Sequence, residues 1–205
     1  MKNYLSSTER RERTVETVID LCSEVDPATI TTGEIAKRMQ VTQGALFRHF
    51  PNKDAIWECV ARRVAERVIR RIDEAAEGAA QPLDKLEAMF NAHVDFIVHH
   101  PGIPRLLLGQ LQQDRQTPAR RVVRSLLFMY RERVQNRLAE ALEAGQLRPG
   151  LDLDAAVTQF IGTVQGLVLQ SLMIGDMSRV GTMAPSVFEI YLNGIRVDNL
   201  ERADR

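Results

Sequence analysis

Ile56, Val60, Val64, Val68 and Ile72 recur every fourth residue between Asn52 and Glu77, with Trp57, Ala61 and Ala65 beside them. That spacing stacks the side chains on one face of an α-helix, whereas strand periodicity would need alternation by two. About 26 residues at 1.5 Å each make a rod of about 39 Å. Pro51-Asn52 starts it, with Asn52 suited to cap the free N–H groups, and the stretch from Gly78 to Pro82 ends it.

The same periodicity runs through the rest of the chain. Val15, Val18, Ile19, Cys22 and Val25 predict a first helix over about 9–25, closed by Asp26-Pro27. Thr31 followed three residues later by Glu34 has the form of a capping box, so a short helix carries Ile35, Ala36 and Met39 and ends near Gln40. Thr42 caps a third helix from Gln43 to Arg48 or His49. Five more helices are predicted over 83–99, 103–113, 118–144, 152–175 and 185–197, separated by Pro101, Pro104, Pro118, Gly145, Pro149, Gly150, Gly181 and Pro185. With no alternating run and no repeat of solenoid length, the expected fold is all-α with about nine helices. A three-helix head over 1–68 precedes a larger helical body over 69–205, the boundary falling inside the rod.

Composition agrees with a globular chain: 205 residues, 44% hydrophobic and 26% charged, which excludes wholesale disorder and collagen-like architecture. Cys22 and Cys59 stand in no paired spacing, so neither a disulfide frame nor a zinc site is expected, and a reducing cytoplasm suits the chain. The first residues carry no apolar run of the signal-peptide kind. The 21 residues from Ala155 to Gly175 hold no charge. Gln159, Gln165 and Gln170 weigh against a membrane span, so this segment is expected to be a helix buried on nearly every side.

Lys+Arg and Asp+Glu balance at 27 each, so overall charge does not suggest nucleic acid. The local pattern does. From Ala36 to Lys53 there are Lys37, Arg38, Arg48 and Lys53 and no acid. Two short helices joined by a tight turn form a helix-turn-helix over about 31–50, whose second helix can enter a major groove. Thr32, Thr42 and Lys53 fall in the first turns of three successive helices, where free N–H groups attract phosphate. Gly44 leaves room for close approach, Ile35, Ala36, Val41 and Leu46 face inward, and Gln43, Arg48 and His49 face outward.

Thr31-Thr32, Ile35-Ala36, Val41-Thr42, the run Gly44-Ala45-Leu46-Phe47-Arg48-His49-Phe50 and Asn52-Lys53-Asp54-Ala55-Ile56 together resemble the tetracycline-repressor (TetR/AcrR) family of bacterial transcriptional regulators over residues 8–68. One departure is Phe47, where the family usually carries a tyrosine whose phenol touches a DNA phosphate. The resemblance implies a ligand-responsive repressor: a homodimer that binds double-stranded DNA at a palindromic operator and releases it on binding a small apolar or amphipathic effector. DNA contacts then fall to Thr32, Thr42, Gln43, Gly44, Phe47, Arg48, His49 and Lys53. The effector pocket falls to Phe90, His93, Phe96, Ile103, Phe128, Gln165 and Leu169. The dimer interface falls to Gly162 and Gly166 with Phe188, Tyr191, Leu192 and Ile195, as a two-fold four-helix bundle.

Blander readings stand beside these. Met89, Phe90, Phe96, Phe128, Met129 and Met173 suit a cavity wall or a plain core equally. His93 and His100 are too far apart on a helix for one metal ion, so packing or pocket lining is expected, with no metal and no cofactor. Cys22 reads as a buried inert thiol and Cys59 as a small packing residue. The arginines of the seventh helix read as a solvated face. No phosphate-binding loop, nucleophile elbow or zinc-protease motif occurs, so no enzyme is expected. The remaining alternative is a helix-turn-helix regulator controlled by a protein partner or by no ligand.

Overall fold

The computed structural model describes residues 6–112 and 114–197. Among them are nine helices: α1 Ser7–Glu24, α2 Thr32–Arg38, α3 Gln43–Phe47, α4 Lys53–Glu77, α5 Pro82–His99, α6 Gly102–Leu111, α7 Pro118–Glu143, α8 Leu153–Ile174 and α9 Ser178–Ile195. The sole β contact among these residues is an isolated bridge between Leu147 and Arg196. Two compact units result, the first made of the chain up to Arg67 with His100–Leu126, the second of Val68–His99 with the chain from Leu127 onward. The cut falls inside α4, between Arg67 and Val68, and α6 and the start of α7 group with the first unit.

The reason for that regrouping is the backbone of α1. A Cβ on Gly102 would lie 2.6 Å from both the Ile19 carbonyl oxygen and the Ser23 nitrogen, so α6 begins in direct backbone contact with α1. Arg105 adds a donated bond to the Ser23 carbonyl at 3.3 Å. Around this contact α1 and α4 share a core in which Val18, Cys22, Ile35, Ile56, Val60 and Val64 are fully buried. Each such aliphatic side chain contributes about 1.5–3 kcal/mol. On the outer side Glu12 and Glu16 of α1 pair with Arg63 and Arg67 of α4, both couples one helical turn apart.

Capping explains the starts. Ser6 and Glu9 form a reciprocal box at α1, and Thr31 and Glu34 form another at α2, with bonds of 3.1 Å from the Glu34 N–H to the Thr31 hydroxyl and 2.7 Å from the Thr31 N–H back to the Glu34 carboxylate. Asp152 caps α8 by accepting from Asp154 and Ala155.

The second unit is organised by aromatic rings. Phe90, Phe160 and Phe188 meet with centroids 4.7–6.4 Å apart, and the Tyr191 hydroxyl donates to the Ala156 carbonyl at 3.1 Å. Arg133 of α7 holds Asp73 of α4 through two bonds of 2.6 and 2.9 Å.

Two expectations need correction. The last helix begins at Ser178, not near 185, and Pro185 lies inside it. The buried stripe Val180, Ala184, Phe188, Tyr191, Ile195 continues through the proline, so packing against α5 and α8 outweighs the lost backbone bond. The part of α8 from Ala155 onward, which carries no charge, is also not buried all round. Val157, Phe160, Val164, Leu167 and Val168 face the core, whereas Leu169, Met173 and Ile174 are 54%, 79% and 60% exposed. By length and hydropathy α8 would reach across a bilayer, yet its Phe160 face is built into the core of this unit.

Candidate nucleic-acid interface

The turn between α2 and α3 is made by Gln40, the one non-glycine described residue with a positive φ, at 57°. Its left-handed backbone lets the Val41 N–H reach the Ala36 carbonyl at 3.0 Å, which reverses the chain within a few residues. Thr42 then caps α3 by accepting from Ala45 at 3.1 Å. Leu46 and Phe50 are almost completely buried and fasten the underside of α3 to the head. This anchoring leaves Gln43, Gly44, Phe47 and Arg48 exposed on the other side, with Phe47 at 41% exposure. A Cβ on Gly44 would meet nothing within 4 Å, so the surface there is open.

Two side chains expected to act separately are joined: the Gln43 amide donates to the Thr32 hydroxyl at 2.6 Å, bridging the first residues of α3 and α2. The Thr32 hydroxyl keeps its own hydrogen to donate. Lys53 opens α4, whose first turn is capped by Asn52 accepting from Ala55 at 2.9 Å. Glu34 is held below the usual carboxylate range first by its bonds from the Thr31 backbone and hydroxyl, and to a smaller degree by Lys53 and Lys37. Thr32, Thr42 and Lys53 thus stand at three neighbouring helix starts, as the sequence led us to expect.

His49 is half-buried and not simply outward. Its Nδ1 lies 3.3 Å from the Ser7 hydroxyl, and Arg11 donates to its carbonyl at 3.2 Å while the guanidinium sits 5.2 Å from the centre of the Phe50 ring. This clasp by α1 on the end of α3 was missed from sequence, since nothing in the spacing of Ser7 or Arg11 links them to a residue about forty positions away. Arg38, grouped with the free bases, is instead paired with Glu24 of α1, which raises the guanidinium's pKa and lowers the carboxylate's.

The expected effector residues do not come together. Phe90 fills the aromatic core, and His93 bonds Tyr130 at 2.9 Å, with burial pushing the imidazole down to about 4. Phe96 is buried in the same unit, Ile103 belongs to the first unit, and Phe128, Gln165 and Leu169 are exposed. The interface residues also divide. Phe188, Tyr191 and Ile195 lie within their own subunit's core and Leu192 is half-buried. Gly162 and Gly166 line an outer groove of about 270 Å³ with Ile174, Met183 and Val187. Periodicity alone cannot say which of two apolar stripes on α9 turns inward. Cys22 is fully buried and its thiol is pushed up to about 12, in keeping with an inert packing role. Among the described residues no three His, Cys, Asp or Glu cluster in a way that would hold a metal ion.

A helix-turn-helix with an exposed second helix, three helix starts carrying Thr32, Thr42 and Lys53, and a separate helical unit are the features of a helix-turn-helix DNA-binding regulator. Residues 18–59 match the family of bacterial regulatory proteins, tetR family, and residues 82–186 match the tetracyclin repressor-like C-terminal domain, so the chain belongs to the TetR family. Nucleoid occlusion factor SlmA from Aliivibrio fischeri strain MJ11 is 26% identical over 165 residues, spanning 77% of this chain and 81% of that protein. Among solved structures, the transcriptional regulator FadR from Bacillus subtilis in complex with stearoyl-CoA superposes with a TM-score of 0.77 at 21% identity, covering 90% of this chain and 99% of that one. The ketosteroid transcriptional regulator KstR2 of Mycobacterium tuberculosis gives 0.75 at 20% identity, covering 92% and 96%. This chain is therefore a DNA-binding transcriptional regulator of that family.

Proposed function

We propose that the chain is a repressor that binds a palindromic operator as a homodimer and releases it when the second unit takes up an apolar or amphipathic effector. The observation carrying the DNA half is the exposed face Gln43, Gly44, Phe47 and Arg48 held over buried Leu46 and Phe50. Thr32, Thr42 and Lys53 position this face on phosphates, His49 supports it through Ser7, and Gln43 and Arg48 address base edges. The dimer reading is supported by the outward apolar side chains of α8 and α9, with Leu169, Met173 and Ile190 exposed and Ile174, Met183 and Val187 lining the groove at Gly162 and Gly166. Two such faces bury each other as a four-helix bundle and present two recognition helices with two-fold symmetry.

The effector reading is supported by the polar couple of His93 and Tyr130 beside Phe160, which gives an apolar interior one polar handle. It also draws on the likeness in fold to FadR, solved with stearoyl-CoA. The protein works as a binding switch in the cytoplasm, where its operator is, and performs no catalysis. Selection of bound duplexes from a random pool tests the reading: an enriched inverted repeat is expected, and a single asymmetric half-site overturns the dimer. Control by a protein partner predicts in turn that fatty acyl thioesters and sterols leave operator affinity unchanged.

A further inference from the structure

At the base of α4, the first unit holds a cavity of about 240 Å³ lined by Lys53, Asp54 and Trp57 of α4, Gln110 of α6, and Pro27 and Thr117 of the adjoining loops. Its volume is below the roughly 300–1,000 Å³ of pockets for drug-sized ligands, so it suits a much smaller molecule. Gln110 and Trp57 are each only 6% exposed, yet neither the Gln110 amide nor the Trp57 indole N–H bonds any described residue. Their polar atoms still touch accessible space, so both groups are free to bond a small molecule or water in this cavity. The Thr117 hydroxyl oxygen accepts from the Arg120 N–H at 3.1 Å and retains its own hydrogen to donate. Lys53 and Asp54 are consecutive at the wall, and neither forms an ion pair within 4 Å of another described residue.

The geometry points to a binding site for a small zwitterion of the amino-acid class. Its carboxylate pairs with Lys53 and its ammonium with Asp54, while its side chain rests on Trp57 and exchanges hydrogen bonds with the Gln110 amide. Adjacent unlike charges suit a ligand whose own unlike charges are two bonds apart, and a plain anion or cation would leave one of them unanswered. The consequence for regulation rests on the DNA-binding reading above. A carboxylate on Lys53 withdraws that ammonium from the phosphate backbone, so ligand and DNA compete for one side chain inside the head itself.

Trp57 is the only tryptophan in the chain, so its emission reports on this cavity directly. Each proteinogenic amino acid except tryptophan, added singly, is titrated against the full-length protein without DNA. At least one is expected to shift Trp57 emission saturably, with its methyl ester and its N-acetyl form inactive. Gln110→Leu is expected to abolish the response, and Ala28→Phe, which fills the mouth of the cavity from an exposed position, does the same should the first variant fold poorly. No response to any amino acid, a response shared by the ester, or one that survives both substitutions overturns the site and shows a cavity that holds only water. At saturation the responding amino acid is expected to weaken operator affinity by about tenfold. Emission that responds while operator affinity stays constant overturns the competition for Lys53. Intact operator binding in the absence of any amino acid separates failure of this site from failure of the regulator reading.

Discussion

The Gln43 amide donates to the Thr32 hydroxyl at 2.6 Å, so the first residue of the recognition helix is tied to the first residue of the helix before it. The Gln43 Oε1 and its second amide hydrogen remain free to meet a base edge while this bond persists, and Lys53 can meet phosphate as it stands. Gln43→Ala is therefore expected to cost about 1–3 kcal/mol on the cognate operator and to relax one base position. Lys53→Ala is expected to weaken all duplexes alike and to reduce the salt-dependence slope by about one. Titrations on cognate and scrambled duplexes over a salt series check both; equal losses on both duplexes for Gln43→Ala would remove it from base readout.

Phe47 is 41% exposed between Gly44 and Arg48 and has no polar atom to offer a phosphate. Phe47→Tyr is expected to strengthen operator binding by about 1 kcal/mol with no change in base preference. An unchanged or weaker affinity would show that the ring is turned away from the backbone in the complex.

Backbone geometry at two positions predicts opposite changes in stability. Gly102→Ala forces a methyl group onto the carbonyl of Ile19 and is expected to destabilise the protein by about 2–3 kcal/mol. Gln40→Gly relieves a left-handed conformation on an exposed turn and is expected to stabilise it by about 0.5–1 kcal/mol. Urea unfolding of the two variants distinguishes these signs.

Ile190 is 72% exposed on the outer face of α9, and Phe188, two residues away, is buried in the core. Ile190→Glu is expected to yield a folded monomer with little operator affinity, because it places charge in the interface proposed above. Phe188→Ala is expected to leave the interface and lower stability by about 3–5 kcal/mol. Sedimentation showing an intact Ile190→Glu dimer would move the interface elsewhere.

His93 is held neutral by burial, its pKa down at about 4 in the fold against about 6.5 in an unfolded chain. The unfolded state therefore binds the extra proton, and the stability contribution is complete above the unfolded value and is lost as pH falls toward the folded one. Lowering pH from about 7 to about 5 is expected to cost about 2 kcal/mol through this group. His93→Gln should flatten that part of the pH profile, and an unaltered slope would place the titration elsewhere.

Much of this was legible in local pattern. Every-fourth-residue apolar columns predicted the helices, and Thr31, Thr42 and Asn52 predicted where three of them begin, because periodicity and capping act within a few residues of chain. The exposed face of α3 was legible for the same reason, since Leu46 and Phe50 claim the inner side of a very short helix. What the tertiary structure alone decided are the contacts between distant segments. Gly102 joins α6 to the head because of a carbonyl on α1, Arg38 is taken by Glu24, and His49 is clasped by Ser7 and Arg11. Pro185 sits within α9 because core packing outweighs a local break. The outer stripe Met183, Val187, Ile190 and the inner stripe Ala184, Phe188, Tyr191 are both apolar, so their order in sequence cannot tell which is buried. Burial depends on which neighbouring helix lies across the stripe, and long-range packing determines that.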